Sequence, residues 1–258
     1  MDYYEGKAAV ITGGANGIGL GLTKELLKRG ASVMIADIKG SSLDAAKLEL
    51  KAHESQVAVC KMDVTKTEDW ERLVDESYKR FGKVDLLFNN AGVYFQKPYT
   101  DWNEADWNWY VSVNLLGCIK GANAFYPRMA KQSGGGKVVF TASQAAVSPG
   151  AGLAPYHTTK AGLLRFAECF HLEMKGLNLP VSAAVVMPAV IGTQIGTREE
   201  DHEVRQPEFA GNSSLSKMTQ EEKENFLMLN GVIAAGPGTP GYKELASLMG
   251  MITGEAGA

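Results

Sequence analysis

The chain has 258 residues, 45% of them hydrophobic and 21% charged, with a formal net charge of -3 at pH 7. That balance gives no electrostatic case for nucleic acid or an anionic membrane surface, and no apolar run approaches the ~20 residues of a bilayer span. Cys60, Cys118 and Cys169 are widely spaced and odd in number, which points to free thiols in a reducing compartment and a soluble cytoplasmic protein.

The start, "MDYYEGKAAV", lacks the basic-then-apolar order of a signal peptide. The first strand is expected in "KAAVITGG". A glycine-rich turn and a helix over Ile18–Arg29 follow, closed by Gly30 beyond a basic end. "SVMIADI" and "VAVCKMDV" read as the second and third strands, and a helix over Asp69–Phe81 is closed by Gly82. "VDLLFNNAG" is the fourth strand, and a third helix is expected to begin at Asp101 and run to about residue 125. "GKVVFTAS" is the fifth strand, a helix from about Tyr156 to Lys175 comes next, and "VSAAVVMP" is the sixth strand. Buried β-branched runs alternating with amphipathic stretches predict an α/β fold. Its parallel sheet is doubly wound, covered by helices on both faces and joined by right-handed crossovers. No long linker or repeat divides the chain, so one domain over residues 1–258 is expected.

Ligands of such sheets bind beyond the carboxyl ends of the strands, and the unusual motifs fall there. In "TGGANGIGLGLTKELLKRG", Gly13, Gly17 and Gly19 stand in a G-x-x-x-G-x-G spacing on a strand-to-helix turn. Missing side chains let the backbone approach a pyrophosphate, and the helix N-terminus offers N–H groups and a positive dipole end. Asp37 ends the second strand, where a carboxylate accepts hydrogen bonds from adenosine ribose hydroxyls and repels a 2′-phosphate. Asn16 and Ile38 are uncharged where a phosphate clamp would place arginine, so NAD is expected over NADP.

In "APYHTTKAGLL", Tyr156 and Lys160 lie one helical turn apart on one face. That pair is either a surface hydrogen bond or a proton donor tuned by a cation. A free tyrosine titrates near ~10, and an adjacent lysine cation is expected to lower it toward the range of a working base. Ser143 ends the fifth strand, where its hydroxyl can hold a substrate oxygen beside Tyr156.

"TGGANGIG" (12–19), "NNAG" (89–92), Asn114 in "VSVNLLG", Ser143 in "VVFTAS" and "YHTTK" (156–160) occur together and in this order. The chain thereby resembles the short-chain dehydrogenase/reductase family, in its short single-domain branch, from about Gly6 to Thr193. The resemblance implies a Rossmann-like fold and an NAD-dependent oxidoreductase that interconverts a secondary alcohol and its ketone. Tyr156 is then the general acid/base, Lys160 its tuner and a ligand of the nicotinamide ribose. Ser143 is the substrate-oxygen holder, and Asn114 the holder of a relay water. It also implies cofactor contacts from Gly13, Asn16, Gly17, Ile18 and Gly19 on the turn, Asp37 and Ile38, and Asp63 and Val64 at the adenine. Asn90, Ala91 and Gly92 follow under the ribose, with Asn90 mainly structural, and Pro188, Ile191 and Thr193 at the carboxamide. Ala189 stands where the family has glycine, which bears on that loop's geometry.

Tyr94, Phe95, Gln144, Val147, Met187 and Ile195 are expected around the nicotinamide, with Ser143 and Tyr156. This lining is largely apolar and favours an alicyclic or steroid-like alcohol. Residues 194–230 are expected to form a substrate lid or a solvated excursion, with a helix start in "MTQEEKENFLML". Trp102 and Trp109 are seven apart and are expected to share a helix face used in packing. His53, His157, His171 and His202 lack partners at ligand spacing, so no metal site is expected. The family's final strand has no clear equivalent in "ELASLMGMITGEAGA". A homodimer or homotetramer is expected, built on helices such as 101–125 and 156–175. Two rival functions remain at this stage: a catalytically silent NAD-binding regulatory or structural relative, and an epimerase or dehydratase on the same fold.

Overall fold

The structure, a computed structural model, describes residues 2–188. Within them one sheet has six strands: β1 (Ala8–Thr12), β2 (Ser32–Asp37), β3 (Val57–Lys61), β4 (Leu86–Asn89), β5 (Gly136–Thr141) and β6 (Val181–Val186). All pairings are parallel and the order is β3-β2-β1-β4-β5-β6. The six apolar runs are therefore six strands of a doubly wound, Rossmann-like sheet. The helices are α1 (Gly17–Lys28), α2 (Gly40–Glu49), α3 (Thr67–Phe81), α4 (Glu104–Tyr110), α5 (Cys118–Met129) and α6 (Ala154–Gly176).

The pleat sends alternate strand residues to opposite faces, and each face buries its own cluster. Val10, Met34, Leu87, Val138 and Phe140 pack with Trp70 and Leu73 of α3, Phe125 of α5, and Leu163 and Phe170 of α6. Ala9, Ile11, Val33, Ile35, Leu86 and Phe88 pack with Leu26 and Leu27 of α1 and Leu43 and Ala46 of α2. Because both faces are dry, the strands are continuously apolar rather than alternating, as in the burial of all five β1 residues.

Three local features differ from the expectations. α2, not anticipated, forms from "GSSLDAAKLE", which buries only Leu43 and Ala46. The third helix starts at Glu104, because the Asn103 side chain accepts the Asp106 N–H and the Asp106 carboxylate accepts the Asn103 N–H, a capping box. Asp101 instead ends a short 3-10 turn, Tyr99–Asp101, and Trp102 precedes the helix, so it does not share a helical face with Trp109. A π-helical segment, Val111–Gly117, joins α4 to α5. No helix among the described residues is long and apolar enough to cross a membrane. The expected lid at 194–230 and the question of a final strand fall outside the described residues.

Candidate active site

Leaving β1, the chain turns through Gly13, whose φ of +62° suits glycine. The first turn of α1 then presses onto that turn: a Cβ on Gly19 would sit 2.1 Å from the Gly13 carbonyl oxygen and 2.8 Å from Asn90 Nδ2. Asn16 occupies the N-cap in extended conformation and its side chain makes no capping bond. The leading N–H groups at Gly17, Ile18 and Gly19 thus form a donor set at a positive helix end, suited to a phosphate. At the end of β2, Asp37 accepts from the Ala15 N–H (3.3 Å) and the Lys39 N–H (3.2 Å). Burial pushes its carboxyl above the usual range, against the pull of the Lys39, Ala15 and Ile38 N–H groups. Ile38 is exposed beside it. The N–H groups that start α1 and the Asp37 carboxylate therefore open at one end of the sheet.

Behind them the strand ends are tied side chain to backbone. Thr12 Oγ1 accepts from the N–H of Asn90 and of Ala91, both at 3.0 Å. Asn90 Nδ2 donates to the Thr12 carbonyl (3.0 Å), and Asn90 Oδ1 accepts from the Thr141 hydroxyl (3.2 Å). The Asn90 amide thus joins β1, β4 and β5. Asp63 Oδ1 accepts from the Thr65 N–H and hydroxyl. The Val64 carbonyl accepts from Trp70 Nε1 at 2.9 Å.

On α6, Tyr156 is half-buried and Lys160 is 4% exposed. Lys160 Nζ donates to the Thr141 carbonyl at 2.7 Å and lies 5.7 Å from the centre of the Tyr156 ring. The Ser143 hydroxyl neighbours the Tyr156 phenol and pulls its pKa down. Tyr94 meets Tyr156 edge to face at 5.1 Å, and Tyr110 meets it at 6.4 Å. Asn114 is fully buried in the π-helical segment, its Oδ1 accepting the Val93 N–H (2.8 Å) and its Nδ2 donating to the Val93 carbonyl (3.0 Å). Gly92 lies between the two: a Cβ there would stand 3.3 Å from Asn114 Oδ1 and 3.6 Å from Lys160 Nζ. Four segments remote in sequence thus bring Gly92, Tyr94, Asn114, Ser143, Tyr156 and Lys160 together.

One electrostatic expectation is corrected. Burial holds the Tyr156 phenol above its ordinary value, and the counteracting pull comes from the Ser143 hydroxyl rather than from Lys160. The ammonium faces the ring and the Thr141 carbonyl, and burial lowers its own pKa. Thiol chemistry is disfavoured for the buried cysteines: burial pushes Cys60 up to about 12 and Cys118 up to about 11.

Phe95 packs with Trp102 (5.1 Å), Trp109 (5.7 Å) and Tyr110 (5.3 Å). The Tyr110 hydroxyl accepts from the Phe95 N–H (2.6 Å) and donates to its carbonyl (2.7 Å), fixing the segment that carries Tyr94. Next along, Lys97 and Asp106 form a buried ion pair, with Lys97 Nζ 5.1 Å from the Phe95 ring and 5.4 Å from that of Trp102. Sequence reasoning did not reach Thr12, Lys97, Asp106, Tyr110 or Thr141. For Asp106 the N-x-x-D spacing from Asn103 was a usable signal. Gln144 is exposed, its N–H donating to the Pro188 carbonyl at 3.0 Å, which joins the turn after β5 to the end of β6. Met187 is 46% exposed there. Ile191, Thr193 and Ile195 lie outside the described residues.

Comparison with known proteins places this geometry in a lineage. The family model for short chain dehydrogenase matches residues 7–204. The 3beta-hydroxysteroid dehydrogenase 2 of Eggerthella lenta is 33% identical over 207 residues, 80% of this chain and 77% of the relative. An NAD-dependent glycerol dehydrogenase of Listeria innocua is 33% identical over 192 residues, 74% of this chain and 73% of the relative. Among solved structures, a short chain dehydrogenase/reductase from Burkholderia phymatum in complex with NAD superimposes with a TM-score of 0.79. It is 26% identical, covering 92% of this chain and 82% of the other. With a match across most of its length and a sheet of the same kind, the chain belongs to the short-chain dehydrogenase/reductase family and is an oxidoreductase of that family.

Proposed function

We propose that this protein is an NAD-dependent dehydrogenase/reductase that interconverts a moderately hydrophobic secondary alcohol and its ketone, with Tyr156 exchanging the proton. The observation that carries the reading is the Tyr156 phenol, with Ser143 beside it and the buried Lys160 behind its ring, at the carboxyl end of a sheet where the N–H groups that start α1 open on the same side.

The donor set fits a dinucleotide. The Gly13–Gly19 turn and the start of α1 offer N–H groups to a pyrophosphate, and Asp37 offers a carboxylate to ribose hydroxyls. Bound there, NAD supplies the hydride acceptor and a cationic ring, so that alcohol and NAD+ give ketone, NADH and a proton. Ser143 holds the alcohol oxygen, and Tyr156 Oη, as phenolate, takes its proton; in reduction the phenol returns it. Lys160 keeps one N–H on the Thr141 carbonyl and has two further donors for the proton path and the cofactor ribose. Asn114, with both amide atoms bonded to Val93, holds the floor of the site.

Tyr94 forms an apolar wall against Tyr156, and the exposed Val147 and Met187 offer apolar surface near the Gln144–Pro188 contact. This favours an alicyclic or steroid-like substrate, and the steroid dehydrogenase among the relatives accords with it. The direct test is NADH formation by the full chain with a series of secondary alcohols from cyclohexanol to steroids, with NAD and with NADP. Turnover that needs NAD supports the reading. NAD returned unchanged while a sugar-like or hydroxyacyl substrate is epimerised or dehydrated would overturn it.

The coenzyme preference rests on Asp37. Its carboxylate meets a 2′-phosphate as a like charge, whose juxtaposition costs several kcal/mol. Asp37→Ser is therefore expected to reduce the NAD-over-NADP ratio of kcat/KM by about tenfold or more, measured by initial rates with each coenzyme. An unchanged ratio would place discrimination elsewhere.

A further inference from the structure

We infer that His157 is a positioning residue that aims the Ser143 hydroxyl at Tyr156 through Ala145. The inference rests on the proposed proton exchange at Tyr156. His157 Nδ1 lies 2.8 Å from the Ala145 carbonyl oxygen. A carbonyl only accepts, so Nδ1 carries the hydrogen, which fixes the tautomer of the neutral ring. Ala145 is held at its other end as well, because its N–H donates to Ser143 Oγ at 3.2 Å. That bond occupies an acceptor site of the serine oxygen, which leaves the Ser143 hydrogen for a partner other than Ala145, and the neighbouring phenol of Tyr156 is the group it acts on.

Without the histidine contact, the 3-10 turn Gln144–Ala146 keeps its backbone link to Pro188 at Gln144 but loses its tie to α6 through Ala145. Adjacent numbering makes this tie efficient. His157 follows Tyr156 on the same helix, with the two rings 6.3 Å apart and nearly perpendicular, so one rigid backbone presents both the phenol and the clamp. The groups around the phenol are Ser143, Lys160, Tyr94 and Tyr110, and the His157 ring stands nearly perpendicular to its ring. What the clamp controls is Ser143, whose donation favours the phenolate over the phenol.

The test compares the wild type with His157→Leu, which removes the donor, and His157→Asn, whose amide N–H falls near the position of Nδ1. Tyr156→Phe is measured alongside, on an alcohol that the wild type oxidises. Melting temperature and NADH binding are recorded for each. His157→Leu is expected to lower kcat about tenfold, the worth of one lost aligned hydrogen bond, with KM changed far less. It should also move the rise of kcat with pH to higher pH. His157→Asn should recover most of the rate and the wild-type profile. A His157→Leu protein with unchanged kcat and pH profile overturns the inference, and so does a loss equal in Leu and Asn. If leucine prevents folding, His157→Gln, whose amide falls near Nε2 instead, must show the same loss. Undiminished turnover in Tyr156→Phe sinks the proton-exchange reading itself, an outcome distinct from any result at position 157.

Discussion

Tyr156→Phe is expected to cut alcohol oxidation by about 10²–10⁴-fold, the usual worth of a positioned acid/base group, while NADH binding and folding persist. The substitution deletes one oxygen. The ring remains to pack against Tyr94 at 5.1 Å and Tyr110 at 6.4 Å, so the aromatic wall keeps its shape. The wild-type pH dependence has a definite sign. Burial holds the phenol above its ordinary value, so the phenolate needed for oxidation forms as pH rises, and oxidation should climb on the alkaline side. Ketone reduction, which needs the phenol, should hold at neutral pH and fall as pH rises through the same range. Steady-state rates in both directions across pH, with NADH binding followed by fluorescence, check this. A phenylalanine variant that retained the wild-type profile would remove Tyr156 from the chemistry.

The largest effect on stability is expected from Lys97→Met. The side chains of Lys97 and Asp106 are 9% and 1% exposed, and the Asp106 carboxylate depends on this cation. Among the described residues its Oδ1 has no hydrogen-bond partner, and its Oδ2 accepts from Lys97 and from the Asn103 N–H. Removing the ammonium strands a buried charge, which costs about 3–5 kcal/mol. In a domain of this size that lowers the melting temperature by roughly 10 °C. The double change Lys97→Met with Asp106→Leu should recover most of the loss, because a buried pair taken out together is often neutral. It should fall short by about 1 kcal/mol, since Asp106 also closes the capping box with Asn103. Thermal melts of the three proteins decide it. A single variant as stable as the wild type would mean that water reaches the pair.

How far the residues announced this structure can be followed element by element. The strands were legible because both faces of a parallel sheet are dry, so "KAAVIT" or "VDLLFN" has no solvent side to interrupt it. Gly82 marked the end of α3, where the chain adopts φ +76°. α2 escaped because two buried residues, Leu43 and Ala46, do not make a periodic signal. The π-helical segment escaped because "VSVNLLG" differs from an ordinary helix in hydrogen-bond register, which composition does not encode. Trp102 was misplaced because aromatic spacing was weighed above the Asn103–Asp106 cap that starts the helix two residues later.

At the candidate site, the structure brings Asn114, Ser143, Tyr156 and Lys160 near one another, as the family resemblance led one to expect, but their partners were not legible. Lys160 lies over the Tyr156 ring and on the Thr141 carbonyl, so its proximity in sequence overstated its hold on the phenol. The Asn114 amide pairs with Val93, and His157 pairs with Ala145, through backbone that only the folded chain brings near. Helical spacing predicts which side chains are neighbours, and it leaves open which atoms they bond.

The strand order carries a consequence for how the molecule assembles. β1 pairs with β2 on one side and with β4 on the other, so Ala9 lies opposite Leu86 across more than seventy intervening residues. Closing so long a loop is entropically slow, and it precedes any reward from the contacts it makes. The Thr12–Asn90 ties span the same seam, and beyond it stand Ser143, Tyr156 and Lys160. The residues proposed to bind the cofactor phosphates and those proposed to move the proton thus meet only once this seam has closed. On the proposed function, joining β1 to β4 is the event that unites the cofactor turn with the proton-transfer residues.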